Sequence, residues 1–382
     1  MTFYRHFIER SDFEVMVVTS SRHVDDQPLP YEPVRVSLPA WWERACRTRF
    51  LPYLYPLQVL AGHHLLGRKV MKQIMEFQPE AVFSVAGSWD WTTLAGQKVA
   101  RALRIPMVAS FNDWYDYGWF PADDRFRPLI EERFRRFYQE ADLALCTSEG
   151  MREELGKHSN AHVWYPTGAV MQRSSDNYEP TEVSIDDPLI AFFGGSLGGW
   201  YGPMMESIVL ACEDSSDPVE FRIFGALEAW SPEFGERAKK EGIFRGRVEF
   251  DRLRQEALAA DLLILPMGFG KECEHAERTS FKTKFLDYLS FQRPILVWGP
   301  EYCSAVRVAR EFDSAECVTD PSPEACRKAI AQLAADPLRR AELMGNAKRM
   351  YDDRFHPDRI HSALVQKIKE VVDRFSAREG IA

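Results

Sequence analysis

The densest run of residues able to do chemistry lies between Arg278 and Val297, Arg-Thr-Ser-Phe-Lys-Thr-Lys-Phe-Leu-Asp-Tyr-Leu-Ser-Phe-Gln-Arg-Pro-Ile-Leu-Val. It reads as a loop, a helix starting near Thr283, a turn at Gln292–Pro294 and a strand. A helix that opens after Arg278, Ser280, Lys282, Thr283 and Lys284 offers unpaired backbone N–H groups and cationic side chains to one spot, as a diphosphate requires. One turn on, Asp287 projects from the same helix, where a carboxylate can accept hydrogen bonds from two ribose hydroxyls. The alternative is a surface helix carrying an Asp–Lys pair.

A second pattern, Ala191-Phe-Phe-Gly-Gly-Ser-Leu-Gly-Gly-Trp-Tyr-Gly, reads as a strand running into a glycine loop and then a helix. Gly194, Gly195 and Ser196 at its head could admit a phosphate or sugar close to the backbone, or form a plain tight turn. It is neither the dinucleotide fingerprint nor a P-loop, because Ser196 stands at the second glycine position and no Gly-Lys-Ser/Thr follows. In the first half, Phe111-Asn-Asp-Trp sits at the carboxyl end of a predicted strand, where open α/β sheets bind ligands. Asp113 there could orient or deprotonate an acceptor hydroxyl, or serve as a cap. Gly87–Asp90 and Thr147–Glu149 follow their own strands and read first as helix caps.

The elements that must hold these residues form two α/β series. Strands are expected at Glu14–Thr19, Ala81–Val85, Met107–Phe111 and Leu143–Cys146, with a helix at Trp91–Leu103 completing a βαβ unit. Polar Met171–Pro188 reads as a linker. The second series has strands at Leu189–Phe193, Glu220–Phe224, Val248–Phe250, Leu262–Leu265 and Ile295–Trp298, with a helix at Pro203–Glu213. The reading is thus an α/β protein of two doubly wound, Rossmann-like domains facing a cleft, residues 1–172 and 188–355. The tail 356–382 includes an amphipathic helix, Pro357–Phe375, that packs back across the junction. A doubly wound domain normally opens with a central strand, but Met1–Arg10 reads as a helix; the favoured explanation is a start further upstream, the other a domain lacking that strand.

With 382 residues, a net charge of −9 and 45% hydrophobic residues, the chain is globular and carries no electrostatic footprint for nucleic acid. No apolar run long enough to span a bilayer and no signal-peptide layout is present, so a cytoplasmic protein is expected. Its seven cysteines have no metal-ligand spacing and read as reduced core residues. No metal site is assigned. Aromatics crowd Trp41–Leu60 (Trp41, Trp42, Phe50, Tyr53, Tyr55) beside Arg44, Arg47 and Arg49. Burial in the core is the favoured reading, and a membrane-facing or acceptor-binding surface the other.

Phe-Phe-Gly-Gly-Ser-Leu at 192–197, Phe-Arg-Ile-Phe-Gly at 221–225, Ala-Asp-Leu-Leu-Ile-Leu-Pro at 260–266 and the Lys284–Leu296 run together resemble glycosyltransferase family 4. Arg-Ile-Pro-Met-Val at 104–108 and Ala-Asp-Leu-Ala-Leu-Cys-Thr-Ser-Glu-Gly-Met at 141–151 resemble its acceptor domain. The resemblance implies the two-domain GT-B fold, a nucleotide-diphosphate-sugar donor in the second domain and a glycan or lipid-linked acceptor in the first. It further implies retaining transfer without a cofactor or obligatory metal, in cell-envelope polysaccharide or glycolipid synthesis; peripheral membrane contact is the expectation only if the Trp41–Leu60 stretch faces outward. Gly194 and Gly195 would then approach the donor phosphates and Asp287 the ribose. Two departures stand out: Thr279 replaces an acid that family members often have eight positions before the ribose-binding one, and Gly198–Gly202 supplies no arginine or lysine. Lys284, with Arg278 or Lys282, takes over the diphosphate charge. A same-fold protein that binds without transferring, or a nucleotide-sugar epimerase, is the alternative.

Overall fold

The computed structural model describes residues 2–21, 29–87, 89–116, 120–169, 179–182, 187–213, 215 and 218–380. Ser88, Tyr117–Trp119 and most of the segment read as a linker lie outside the described residues. The chain separates into two compact units, one of Met1–Pro166 with Ile360–Ala382, the other of Thr167–Arg359.

In the first unit β1 (Val18–Thr19) and β2 (Val34–Arg35) form a short parallel pair. A parallel sheet follows in the order β3 (Val82–Val85), β4 (Met107–Phe111), β5 (Leu143–Cys146), β6 (Ala161–Val163). β4 and β5 are buried at every position, as strands covered by helices on both faces must be. One face is filled by an aromatic cluster in which Phe134 meets both Phe111 and Trp89 edge-on, with centroids 5.3 Å apart in each case. Asp90 accepts the Trp91 N–H (2.7 Å) and Ser148 accepts the Met151 N–H (3.0 Å), so both post-strand polar clusters cap helices. The carboxyl-terminal helix Pro357–Glu379 starts at the end of the second unit and runs into the first, where His361 Nδ1 lies 3.1 Å from His6 Nδ1.

The second unit carries β7 (Leu189–Gly194), β8 (Val219–Phe224), β9 (Leu262–Pro266), β10 (Ile295–Trp298) and β11 (Glu316–Val318), all parallel, in the order β11-β10-β9-β7-β8. The expected strand at Val248–Phe250 is absent. Phe250 instead opens the helix Phe250–Leu258, because Phe250, Leu253 and Ala257 repeat at helical spacing and three residues were too few to tell the two periods apart. Glu14–Thr19 contributes only its last two residues as strand. Among the described residues no helix is long and apolar enough to cross a membrane.

The strand order reverses at β7: the chain goes first to β8 on one side and then crosses to β9 on the other. Loops leaving β7 and β9 therefore diverge and open a crevice at the carboxyl ends of these strands. The loop after β7 is held tightly. Gly195 donates to the Phe224 carbonyl (3.0 Å), and a Cβ on Gly225 would lie 1.9 Å from the Gly195 oxygen. Gly225→Ala is expected to cost about 1–3 kcal/mol through this overlap, read as a lower melting temperature of the second unit by calorimetry; an unchanged melting profile would show that the loop yields freely.

Candidate functional site

The crevice of the second unit is lined from three directions. β7 delivers Gly194 and Gly195, the latter with φ +149°, and the loop continues through Trp200 to the helix Tyr201–Glu213. β9 delivers Gly268, against which the Trp200 ring leans: a Cβ there would sit 3.2 Å from the Trp200 ring and 2.3 Å from Cys273 Sγ. The third side is the helix Thr283–Ser290. Its N-cap position is Lys282, and no side chain caps it, so its first turn presents backbone N–H groups of the kind that bind anions.

That helix projects Lys284 onto Gly195. A Cβ at residue 195 would lie 2.5 Å from Lys284 Nζ and would displace the ammonium, and the φ of +149° there itself favours glycine. The Nζ is buried and makes no hydrogen bond, resting 3.9 Å from the centre of the Phe193 ring and 4.4 Å from that of Tyr201. Ring quadrupoles attract a cation, though not as strongly as lost hydration or an anion would. Burial accordingly pushes the Lys284 amine down to about 7, with Lys282 adding to the shift and Asp287 opposing it. Three residues on, Asp287 Oδ1 accepts the Ala169 N–H (2.8 Å), which fixes the carboxylate's orientation. Tyr288 OH accepts the Gly194 N–H (3.0 Å), tying the helix to the end of β7.

One charged residue in the crevice escaped the sequence reading. Glu277 is fully buried; its Oε1 accepts the Gly268 N–H (3.2 Å) and its Oε2 lies 3.7 Å from Lys282 Nζ, too far for a hydrogen bond. Burial raises its carboxyl pKa, opposed by Lys282 and by the Gly268 N–H. Lys282 also stands 5.5 Å from the Trp200 ring centre. A buried acid on a helix (Lys271–Thr279) that also carries Lys271, Glu272, Glu274 and Arg278 leaves no signal of its own in the charge pattern, which is why Glu277 could not be singled out.

The structure thus brings Gly194, Gly195, Lys282, Thr283, Lys284 and Asp287 into one place. Ser280 is buried, and its N–H donates to Ala276 O (2.9 Å) at the end of the preceding helix. Ser196 Oγ accepts the Gly198 N–H (3.2 Å), a turn contact. Arg278 is turned to Glu274 (2.8 Å) and to the face of Tyr302 (4.8 Å). Asp113 belongs to the first unit, at the carboxyl end of β4, where its N–H would lie 3.2 Å from a Cβ on Gly87. Among the described residues no group of three or more His, Cys, Asp or Glu could hold a metal ion.

Residues 3–167, nearly the whole of the first unit before the chain enters the second, match the model of glycosyltransferase family 4. The chain resembles that family and has the GT-B architecture of two Rossmann-like α/β domains. Among solved structures it is similar to TarM (9% identity, 78% of this chain, TM-score 0.55), of whose length it spans 57%. It is similar also to the sucrose-phosphate synthase of Thermosynechococcus elongatus (14% identity, 90% of this chain and 82% of that one, TM-score 0.56). A third is HepE of Anabaena, solved with UDP (13% identity, 79% of this chain and 82% of that one, TM-score 0.55). At these identities the likeness is one of fold. No curated protein sequence matches the chain.

Because burial holds Lys284 near pH 7, its side-chain resonance in the empty protein is expected to titrate there in a nitrogen-15 NMR pH series. Exposed lysines should titrate near 10.4. A Lys284 resonance moving with the exposed lysines would show that water reaches the ammonium.

Proposed function

We propose that the protein is a glycosyltransferase that takes a sugar from a nucleotide-diphosphate donor bound in the second unit and passes it to an acceptor. The observation that carries this reading is the buried, unpartnered ammonium of Lys284 beside Gly195, at the carboxyl end of the strand where the sheet order reverses. A cation stripped of water in such a crevice is stabilised by an anion, and a diphosphate fits the adjoining helix start and glycine loop. In this reading Gly194, Gly195 and Ser196 admit the diphosphate, Lys284 and Thr283 bind it, and Asp287 holds the ribose. Lys282 completes the surround, while Arg278 is held by Glu274 and Ser280 by the end of the preceding helix. As the sugar leaves, negative charge develops on the bridging phosphate oxygen, and Lys284 with Lys282 stabilises it. The cations of the chain itself supply the charge that the leaving group needs.

Support comes from the fold-level neighbours: HepE has been solved with UDP and with UDP-glucose, and a TarM variant with UDP, fondaparinux and a GlcNAc-glycerol. They favour a uridine-diphosphate sugar and a glycan acceptor as the first compounds to try. Asp113 in the first unit is assigned to the acceptor hydroxyl. Retaining hexosyl transfer, a lipid-linked acceptor and a place in cell-envelope polysaccharide or glycolipid synthesis follow from the family resemblance.

Lys284→Ala is expected to weaken UDP binding about 100-fold, the equivalent of roughly 3 kcal/mol for one buried charged donor, with the circular dichroism spectrum unchanged. Thermal stabilisation across UDP, GDP, ADP and their sugar conjugates reads this; equal shifts for wild type and variant would overturn the assignment. Asp113→Asn should leave the UDP shift intact and lower transfer to any acceptor found; binding with no transfer across an acceptor panel would favour a protein that binds without transferring. The pH dependence has a definite sign. In the empty protein the amine is half-protonated near 7, and a bound diphosphate raises its pKa again, so binding takes up as much as one proton. UDP affinity should fall with rising pH above 7, by up to about tenfold per unit, and calorimetry in buffers of different ionisation enthalpy should register the uptake. Affinity flat from pH 7 to 9 would exclude Lys284 as the partner.

A further inference from the structure

The aromatic stretch of the first unit, expected in the core, divides: Trp42 and Tyr55 pack against buried clusters, and the other three aromatics lie on the surface. Trp41 is 60% exposed, Phe50 53%, Tyr53 44% and Leu57 53%. With Leu65 and Met75 they make six of the twelve large apolar side chains left exposed among the described residues, within 35 consecutive positions. The cause is visible in the helix Leu51–Ala61, which contains no charged residue. Val59 and Tyr55 point inward to the core of the unit, yet the opposite face, Tyr53, Leu57 and Ala61 at successive turns, is apolar too. A surface helix apolar on both faces has one face with no solvent-compatible role.

This face is held in place. Pro56 has no N–H to offer the Pro52 carbonyl one turn back, and the Asp123 N–H takes that carbonyl instead (3.0 Å). Trp42 Nε1 donates to Gln58 Oε1 (3.2 Å), locking the helix Ala40–Ala45 beside it, with Trp41 outward. Around the apolar face basic residues are in excess, Asp123 and Asp124 beside Pro52 being paired with Arg125 and Arg127. Residues 40–76 hold six arginines and lysines against two glutamates, a local +4 in a chain of −9. Arg44, Arg47 and Arg49 are exposed and have no carboxylate partner among the described residues, and Arg49 lies over the Phe50 ring (5.2 Å).

We infer that this surface docks on an anionic lipid bilayer, Trp41, Phe50, Tyr53 and Leu57 entering the interface and Arg44, Arg47 and Arg49 meeting the headgroups. Aromatic side chains favour the headgroup level, and arginines on a protein of opposite net charge are selective for an acidic surface. The inference does not rest on the donor site.

The test is flotation of the full chain with vesicles of phosphatidylcholine alone or with 30% phosphatidylglycerol. Wild type is expected to float with the anionic vesicles only, and less as salt rises. Phe50→Ser with Leu57→Ser should abolish flotation, and each of Arg47→Ala and Arg49→Ala should lower partitioning about fivefold. All four positions are exposed, and unchanged melting temperatures together with unchanged circular dichroism spectra would confirm that the variants fold. No flotation of wild type at low salt, or equal flotation of the serine variant, would overturn the inference. So would a wild-type dimer in analytical ultracentrifugation that the serine variant converts to monomer, since the face would then serve a second copy of the chain.

Discussion

A chain of close approaches begins with one charge. Lys284 Nζ occupies the space that a side chain at residue 195 would fill, and the φ of +149° there favours glycine; the Gly195 carbonyl in turn occupies the space that a side chain at residue 225 would fill. The end of β7, the end of β8 and the start of the Thr283–Ser290 helix are thereby fixed to one another at near-minimal distance. Such tight packing is affordable only where small residues meet, and the result is an ammonium held away from water against two aromatic rings. The cost of its lost hydration and its affinity for an incoming anion are the same energy seen from two sides.

The neighbouring acid works in the same direction. Glu277 is buried with only one hydrogen bond to its carboxylate, and burial favours its neutral form. To that extent the positive charges of Lys282 and Lys284 stand less compensated. An anion entering the crevice would raise both pKa values further, keeping Glu277 neutral while charging Lys284. The sheet order accounts for where this happens: only at β7 and β9 do neighbouring strands send their loops in opposite directions, and Trp200 lying on Gly268 bridges the two loops there.

Much of this arrangement was legible in the residues because it is local. Lys284 and Asp287 sit three apart on one helix, the strand before them is a continuous apolar run, and Gly194–Gly195 ends another; spacing alone brings each into register. What could not be read is decided by side-chain direction and by contacts across the chain. Arg278 is four residues from Glu274 and forms a helical ion pair with it, a choice no spacing rule makes over the crevice. Glu277 is buried because the loop after β9 folds over it. Val248–Phe250 looked like a strand because a valine and a phenylalanine two apart fit that period, whereas the longer repeat through Leu253 and Ala257 belongs to a helix.

The misreading of Trp41–Leu60 has a different origin. Apolar periodicity states that a surface avoids water and is silent about what covers it. For Tyr55 and Val59 the cover is the unit's own core, and Tyr55 OH finds the Trp89 carbonyl (3.1 Å) there. For Tyr53 the cover is partial, from Phe126 edge-on at 6.4 Å and Arg125 stacked 5.5 Å from the ring centre, and Tyr53 and Leu57 stay 44% and 53% exposed. The arginines carry the information that the apolar pattern lacks. A core-facing segment has no use for unpaired cations beside its aromatics, since desolvating them opposes burial, whereas an acidic interface rewards both at once. Charge at the rim of an apolar stretch therefore distinguishes a face made for the interior from one made for an external surface, and at Arg44, Arg47 and Arg49 it marks the second.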